Sequence, residues 1–124
     1  MSIYCPSRVR NYENLNVELL HNASAHITTN YYVDYDSPEV RSFVFSYRAL
    51  FKTEPNSFAF HGYDTMKYFT RMCSVYGREW YKRIDTYRGK GLQSDFSFTL
   101  VADGALNHAC RRIVYNPDFT VSVR

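Results

Sequence analysis

Glycine and proline are scarce in this sequence, with five and four among 124 residues, and there are only three cysteines and one tryptophan. No low-complexity tract, linker or internal repeat interrupts the chain. No stretch approaches the ~18 consecutive apolar residues of a membrane-crossing helix. Cys5, Cys73 and Cys110 are odd in number and widely spaced, which excludes a disulfide framework and favours three buried free thiols. There is no C-x-x-C pair and no G-x-S-x-G nucleophile elbow. Gly89-Lys90-Gly91 is a lone G-x-G; without a later glycine or a Lys-Ser/Thr pair it reads as a turn, not a phosphate loop. The opening Met1-Ser2-Ile3-Tyr4-Cys5-Pro6 has no basic stretch followed by an apolar one. No secretory signal is visible there, so either the protein is cytoplasmic or its true N-terminus lies elsewhere.

What is abundant is aromatic surface. Twelve Tyr, nine Phe and the Trp make up 18% of the chain, and each ring can bury a large area. Hydrophobic residues at 45% and charged residues at 22% are ordinary for a folded domain. The length allows one small domain. The net charge of +3 is too small to argue for nucleic acid by itself. Its source is local: residues 1–77 hold seven basic and seven acidic side chains, and residues 78–124 hold eight and five. A mildly basic final third reads as a solvated face.

Ile3-Tyr4-Cys5, stopped by Pro6, reads as the end of a buried strand. Leu15, Leu19 and Leu20 suggest a short helix within residues 11–22, and His26 to Val33 is β-branched and aromatic like a strand. The clearest element follows. Ser37 is an N-cap, Pro38 sits at the first helical position and Glu39 complements the dipole. Val40, Phe43, Val44, Tyr47, Leu50 and Phe51 then form one apolar stripe, and Pro55 ends the helix. A second helix starts near Ser57, with Ala59, Tyr63, Met66 and Cys73 on one face, Phe69 and Tyr76 flanking it, and Gly77 as its stop. Trp80, Ile84 and Tyr87 mark a third, short helix. From Asp95 the period becomes two, with turns at Asp103-Gly104 and Asn116-Pro117-Asp118. The expectation is an α/β chain with three to four helices and a C-terminal β-meander.

No enzyme constellation stands out. His21 with His26, and His108 with Cys110, fit no zinc spacing. Asp34 and Asp36 bracket Tyr35 where a helix N-terminus favours negative charge. Tyr76, Arg78, Trp80, Tyr81, Lys82, Arg83, Tyr87 and Arg88 interleave rings and cations as a single-strand stacking platform would. An amphipathic helix with packed rings and solvated bases explains them more simply. Neither a cofactor, a metal nor a catalytic residue is expected, and nucleic acid is not an expected partner.

One stretch is distinctive: Tyr32-Val33-Asp34-Tyr35, Ser37-Pro38-Glu39-Val40, Phe43-Val44, Tyr47-Arg48, Phe51, Glu54-Pro55, Phe58-Ala59 and Gly62-Tyr63-Asp64. It resembles the C-terminal part of type I periplasmic binding proteins, the leucine/isoleucine/valine-binding family. Leu92-Gln93-Ser94-Asp95-Phe96, with Phe98, Gly104, Asn107 and Tyr115, is similar to a Bacteroidetes-type subgroup joined to LysM peptidoglycan-binding repeats. The similarity runs from about residue 3 to residue 124.

The resemblance implies that residues 1–124 are a single partial ligand-binding region carrying parts of both lobes of that fold. Residues 1–33 would be a strand-helix-strand of the second lobe, 34–91 the helical part and 92–124 the β-rich end. Ile3-Tyr4-Cys5 would be an interior parallel strand. The implied function is non-catalytic capture of a small polar solute. In the family a strand-end acid pairs with the ligand's ammonium group; Ser7 occupies that place here and has no charge. Phe58 matches an aromatic or apolar ligand-contact position, with Phe60, His61 and Tyr63 beside it. The implied location is the periplasm or cell envelope of a bacterium, with peptidoglycan association through other domains and self-association of the isolated chain. A structural or interaction domain that has lost its ligand is the alternative. A standalone α+β domain with an enzymatic or nucleic-acid role is the third reading.

Overall fold

The computed structural model describes residues 2–124 and is mixed α/β. In chain order the elements are β1 (Ile3–Pro6), a 3-10 turn (Ser7–Asn11), α1 (Val17–Asn22), β2 (Ala25–Thr29), α2 (Pro38–Phe51) and α3 (Ser57–Tyr76). A second 3-10 segment (Gly77–Arg83) follows, then β3 (Gly89–Lys90), β4 (Asp95–Phe96), β5 (Phe98–Val101), β6 (Gly104–Asn107), β7 (Arg111–Tyr115) and β8 (Val121–Val123). Contacts divide the chain into two units. The sheet unit combines the residues up to Tyr31 with Cys110–Arg124, and the helical unit is the continuous segment Tyr32–Ala109.

The sheet unit is one four-stranded sheet in the order β1-β2-β7-β8. β1 runs parallel to β2, and the other pairs are antiparallel. Side chains alternate across a strand, so register decides what is buried. Ile27 faces Ile113, and Thr29 faces Arg111; these four side chains and Ala25 are buried on one face. Leu20 and His21 of α1 are buried too. Asn16 caps that helix by accepting the Glu18 N–H at 2.9 Å.

Two expectations for this region change, and one is narrowed. β1 is an edge strand, not an interior one: it pairs with β2 alone, and Ile3 and Tyr4 are exposed. The short helix expected within residues 11–22 is α1, which holds Leu19 and Leu20 and starts after Leu15. The C-terminal meander divides, because β5 and β6 pair only with each other in the helical unit, while β7 crosses back to β2. Burial explains that choice. β7 brings Ile113 and Val114 to be covered, whereas Gly104–Asn107 is exposed along its whole length.

In the helical unit the caps behave as their residue types require. Pro38 occupies the first turn of α2, and Ser37 stands at its N-cap. The Ser37 hydroxyl donates to Glu39 at 2.7 Å instead of accepting a backbone N–H. The helix stops four residues before Pro55, because Lys52 turns left-handed (φ 57°) and donates its N–H to Arg48. Only the first part of the apolar stripe is covered. Val40 and Val44 join Phe60 and Leu92 in a core that Val33 and Phe43 flank, while Leu50 is 74% exposed and Phe51 is exposed as well.

α3 runs from its Asn56 cap, which accepts the Ala59 N–H at 3.0 Å, to Gly77. Its buried ridge is Phe60, Asp64, Tyr68 and Met72, spaced by four. The expected face was different: Tyr63, Met66 and Cys73 are all exposed, Met66 at 68%. The short helix marked by Trp80, Ile84 and Tyr87 is a 3-10 segment kinked at Glu79. Its rings pack on α3, with Tyr68, Met72, Ile84 and Phe96 as a second core. The cysteines are free as expected but not buried: Cys5 is half-buried, and Cys73 and Cys110 are exposed. No described helix is long and apolar enough to cross a membrane.

Candidate functional site

The site grows out of one ridge of α3. Asp64 is 1% exposed, a position a carboxylate tolerates only when its oxygens are satisfied. They are. Oδ1 accepts the N–H of Leu92 at 2.6 Å, and Oδ2 accepts those of Gln93 at 2.8 Å and Ser94 at 3.0 Å. One side chain thus gathers three successive amides, as an anion-binding nest does. The turn can close this tightly because residue 91 is glycine. A Cβ there would lie 2.2 Å from the Ser94 carbonyl oxygen and 2.5 Å from Cγ of Asp64. The Gly91 N–H donates to Asp95 at 3.2 Å.

One turn further along α3, the Tyr68 hydroxyl donates to the Tyr87 carbonyl at 2.9 Å and its ring stacks on Phe96 at 4.7 Å. Burial raises the Tyr68 phenol above its ordinary value of 10.0, and the neighbouring Tyr87 adds to the shift. Gly89 lets β3 lie against this ring, since a Cβ there would meet Cδ2 of Tyr68 at 2.5 Å. Asp64 and Tyr68 together therefore fix the segment 87–96 along the helix.

Beside that seam lies an open groove of about 670 Å³, within the usual range for small-molecule sites. Tyr63, Met66, Lys67 and Arg71 line it from α3, and Tyr87 and Lys90 from the facing segment. Lys67 Nζ stands 5.7 Å from the centre of the Tyr63 ring. Tyr63 in turn packs on Phe43 at 4.8 Å. Glu39, whose carboxyl is held below its ordinary value first by the Ser37 hydroxyl, also feels Lys90 and Lys67.

The residues singled out from the sequence separate in this setting. Tyr63 lines the groove. Phe60 is 1% exposed within the Val40, Val44 and Leu92 core. Its side chain packs α3 against α2 and presents almost no surface in this structure. Phe58 is 81% exposed at the start of α3, and His61 is exposed; neither lines the groove. Ser7 is exposed in the 3-10 turn of the sheet unit.

Other polar groups have local duties. His21 Nδ1 bonds the Asn116 carbonyl at 2.8 Å. Asp34 accepts the Asp36 N–H at 3.1 Å, and Asp36 pairs with Arg41 at 3.0 Å. No cluster of three or more His, Cys, Asp or Glu suited to a metal occurs among the described residues. In the interleaved run, Trp80 packs edge-on to Phe69 at 5.3 Å, and Tyr87 lies 5.6 Å from Tyr68.

Sequence reasoning passed over Asp64, Lys67, Arg71 and Lys90. A spacing signal existed: Phe60, Asp64, Tyr68 and Met72 repeat at four, and Lys67 and Arg71 repeat at four on the next strip. No family model matches the chain, and no curated protein or solved structure matches it.

Proposed function

We propose that this chain is a non-catalytic small-solute-binding module, similar to the C-terminal portion of type I periplasmic binding proteins, and that the groove along α3 receives the solute. The observation that carries this reading is the groove itself. It is preformed, it has the volume of a small-molecule site, and rigid neighbours fix both of its walls. A buried carboxylate anchors the loop from residue 91 to residue 94, and the Tyr68 hydroxyl anchors Tyr87. Preorganised walls lower the ordering cost of capture. Tyr63 lies in the Gly62-Tyr63-Asp64 part of the family-like motif and also on the groove wall. The envelope location and the link to peptidoglycan belong to this proposal through the resemblance alone.

Thermal denaturation with a panel of amino acids, sugars, nucleosides and small acids tests it. A ligand that binds only the folded chain stabilises it by ~2.7 kcal/mol at a hundred times its Kd, a rise of several degrees in Tm. A panel in which no solute moves Tm overturns the reading.

A second reading, a structural or interaction domain, is favoured by a different observation. Phe45, Leu50, Phe51 and Phe58 are large apolar side chains left in solvent on α2 and at the start of α3. Self-association then buries them, and sedimentation equilibrium over a wide concentration range reads it. A monomer at every concentration counts against this reading.

A further inference from the structure

We infer that the α3 groove selects a small phosphate ester with a planar or apolar body, its phosphate held by Lys67, Arg71 and Lys90. The inference rests on the solute-binding reading and gives its ligand a chemistry.

Lys67, Arg71 and Lys90 all line the groove. They come from two facing elements, α3 and β3, so they can close on a group from both sides. Among the described residues none of the three forms an ion pair; the ion pairs there join Arg41 to Asp36, Arg48 to Glu54 and Lys82 to Glu79. The two acids beside the groove are otherwise engaged. Asp64 is turned onto the amides of residues 92–94, and Glu39 is held by the Ser37 hydroxyl at the start of α2. Three cations thus line one cavity, and among the described residues no carboxylate stands within ion-pair distance of them; Glu39 acts on Lys90 and Lys67 only from further off.

The choice of phosphate follows from donor geometry. A guanidinium presents a planar fork of N–H groups, and each ammonium presents three rotatable donors. Three such groups satisfy the several oxygens and the near-double charge of a phosphate monoester better than a single carboxylate. The remaining wall, from Tyr63, Met66 and Tyr87, suits an apolar or flat body attached to that anion. Charge-assisted bonds at a half-open site are salt-sensitive, so affinity falls as ionic strength rises.

Titration calorimetry on the full chain tests this with adenosine 5′-monophosphate, adenosine and benzoate as probes. The expected result is that the monophosphate binds at least ten-fold more tightly than adenosine or benzoate. Lys67→Ala and Lys90→Ala each weaken it five-fold or more, with Tm unchanged because both side chains are exposed. Lys67→Arg restores most of the loss. Equal affinity for the nucleoside and its monophosphate overturns the phosphate inference and leaves the solute-binding reading standing. So does monophosphate binding that is indifferent to both lysine variants. Absence of binding by all three probes overturns the inference; the broad panel above then decides whether the solute-binding reading falls with it.

Discussion

The two units solve the same problem, a loop that must be held, in opposite ways. In the helical unit a single buried carboxylate takes three amides of one loop. In the sheet unit the β7–β8 hairpin is held by many small terms. Its ladder and the Asn116 N–H to Thr120 bond at 2.9 Å are joined by the His21 ring against Tyr115 and Phe119. The first design concentrates stability in one atom group; the second distributes it. The first is therefore brittle to substitution and rigid when intact, a property suited to a wall of a binding groove. Trp80, the sole tryptophan, sits in the helical unit. Its fluorescence reports that unit, and amide exchange on β2 and β7 reports the other.

The largest effect is expected at Asp64. Asp64→Ala leaves three N–H groups without their acceptor, and each orphaned donor costs about 1–3 kcal/mol. A loss of about 4 kcal/mol or more in the Trp80-detected denaturation is the expected outcome. Asp64→Asn keeps one acceptor oxygen and is expected to lose roughly half of that. An Asp64→Ala loss below about 1 kcal/mol breaks the contrast between concentrated and distributed anchoring.

The next effect separates two methionines on one helix. Met72 is fully buried against Tyr68, Ile84 and Phe96, whereas Met66 is 68% exposed. Met72→Ala is expected to cost about 2–5 kcal/mol, and Met66→Ala less than about 0.5 kcal/mol. Equal costs, read from urea denaturation of the two variants, return α3 to the face first expected for it.

That face shows what was legible and what was not. The helix boundaries were readable because caps are local chemistry: Ser37-Pro38 opens α2, and Gly77 closes α3. The facing of α3 is not legible from apolar spacing alone. The true ridge contains an aspartate, and its partners lie 28 to 30 residues away. Pairing of β7 with β2 was equally invisible, because strand pairing is non-local and a short strand carries no mark of its neighbour. Only Tyr63 of the expected site residues reaches the groove, since aromaticity marked the stretch but did not say which rings face inward. Lys67 and Arg71 carry no mark of a site in the sequence, and Lys90 reads as part of a turn, until β3 is placed beside α3.

A smaller, pH-dependent effect is expected at Tyr68. Its phenol is raised above 10.0 by burial, so the folded chain keeps the proton longer than the unfolded chain does. Stability from this group is complete below pH 10 and is lost as pH rises through the folded value. Tyr68→Phe removes the hydroxyl bond to Tyr87, at a cost of about 1 kcal/mol near neutrality. It is also expected to flatten the alkaline limb of the stability curve. An identical alkaline limb in both proteins shows that another group governs it.

The smallest effect makes the comparison sharpest, because both units hold side-chain-bearing residues in left-handed geometry, Lys52 in the helical unit and Ser24 and Phe119 in the sheet unit. Lys52 ends α2 at φ 57°, and Phe119 sits in the β7–β8 turn at φ 63°. Left-handed geometry costs a side-chain-bearing residue about 1 kcal/mol, and glycine relieves it. Lys52 is exposed and serves through its backbone N–H, which glycine retains. Lys52→Gly is therefore expected to be neutral or to gain up to about 1 kcal/mol, with the unfolded-chain entropy of glycine taking part of the relief. Phe119 is different, because its ring lies 5.2 Å from that of His21. Phe119→Gly relieves the same strain but removes an aromatic contact of about 0.5–1.5 kcal/mol. It is expected to be neutral or mildly destabilising, and amide exchange in β8 shows any loosening. If both glycine variants gain equally, the Phe119 ring contributes nothing and the sheet unit's hairpin is held by its backbone alone. If Phe119→Gly loses more than about 2 kcal/mol, the ring on His21 anchors the hairpin as singly as Asp64 anchors its loop, and the two units are built on one plan after all.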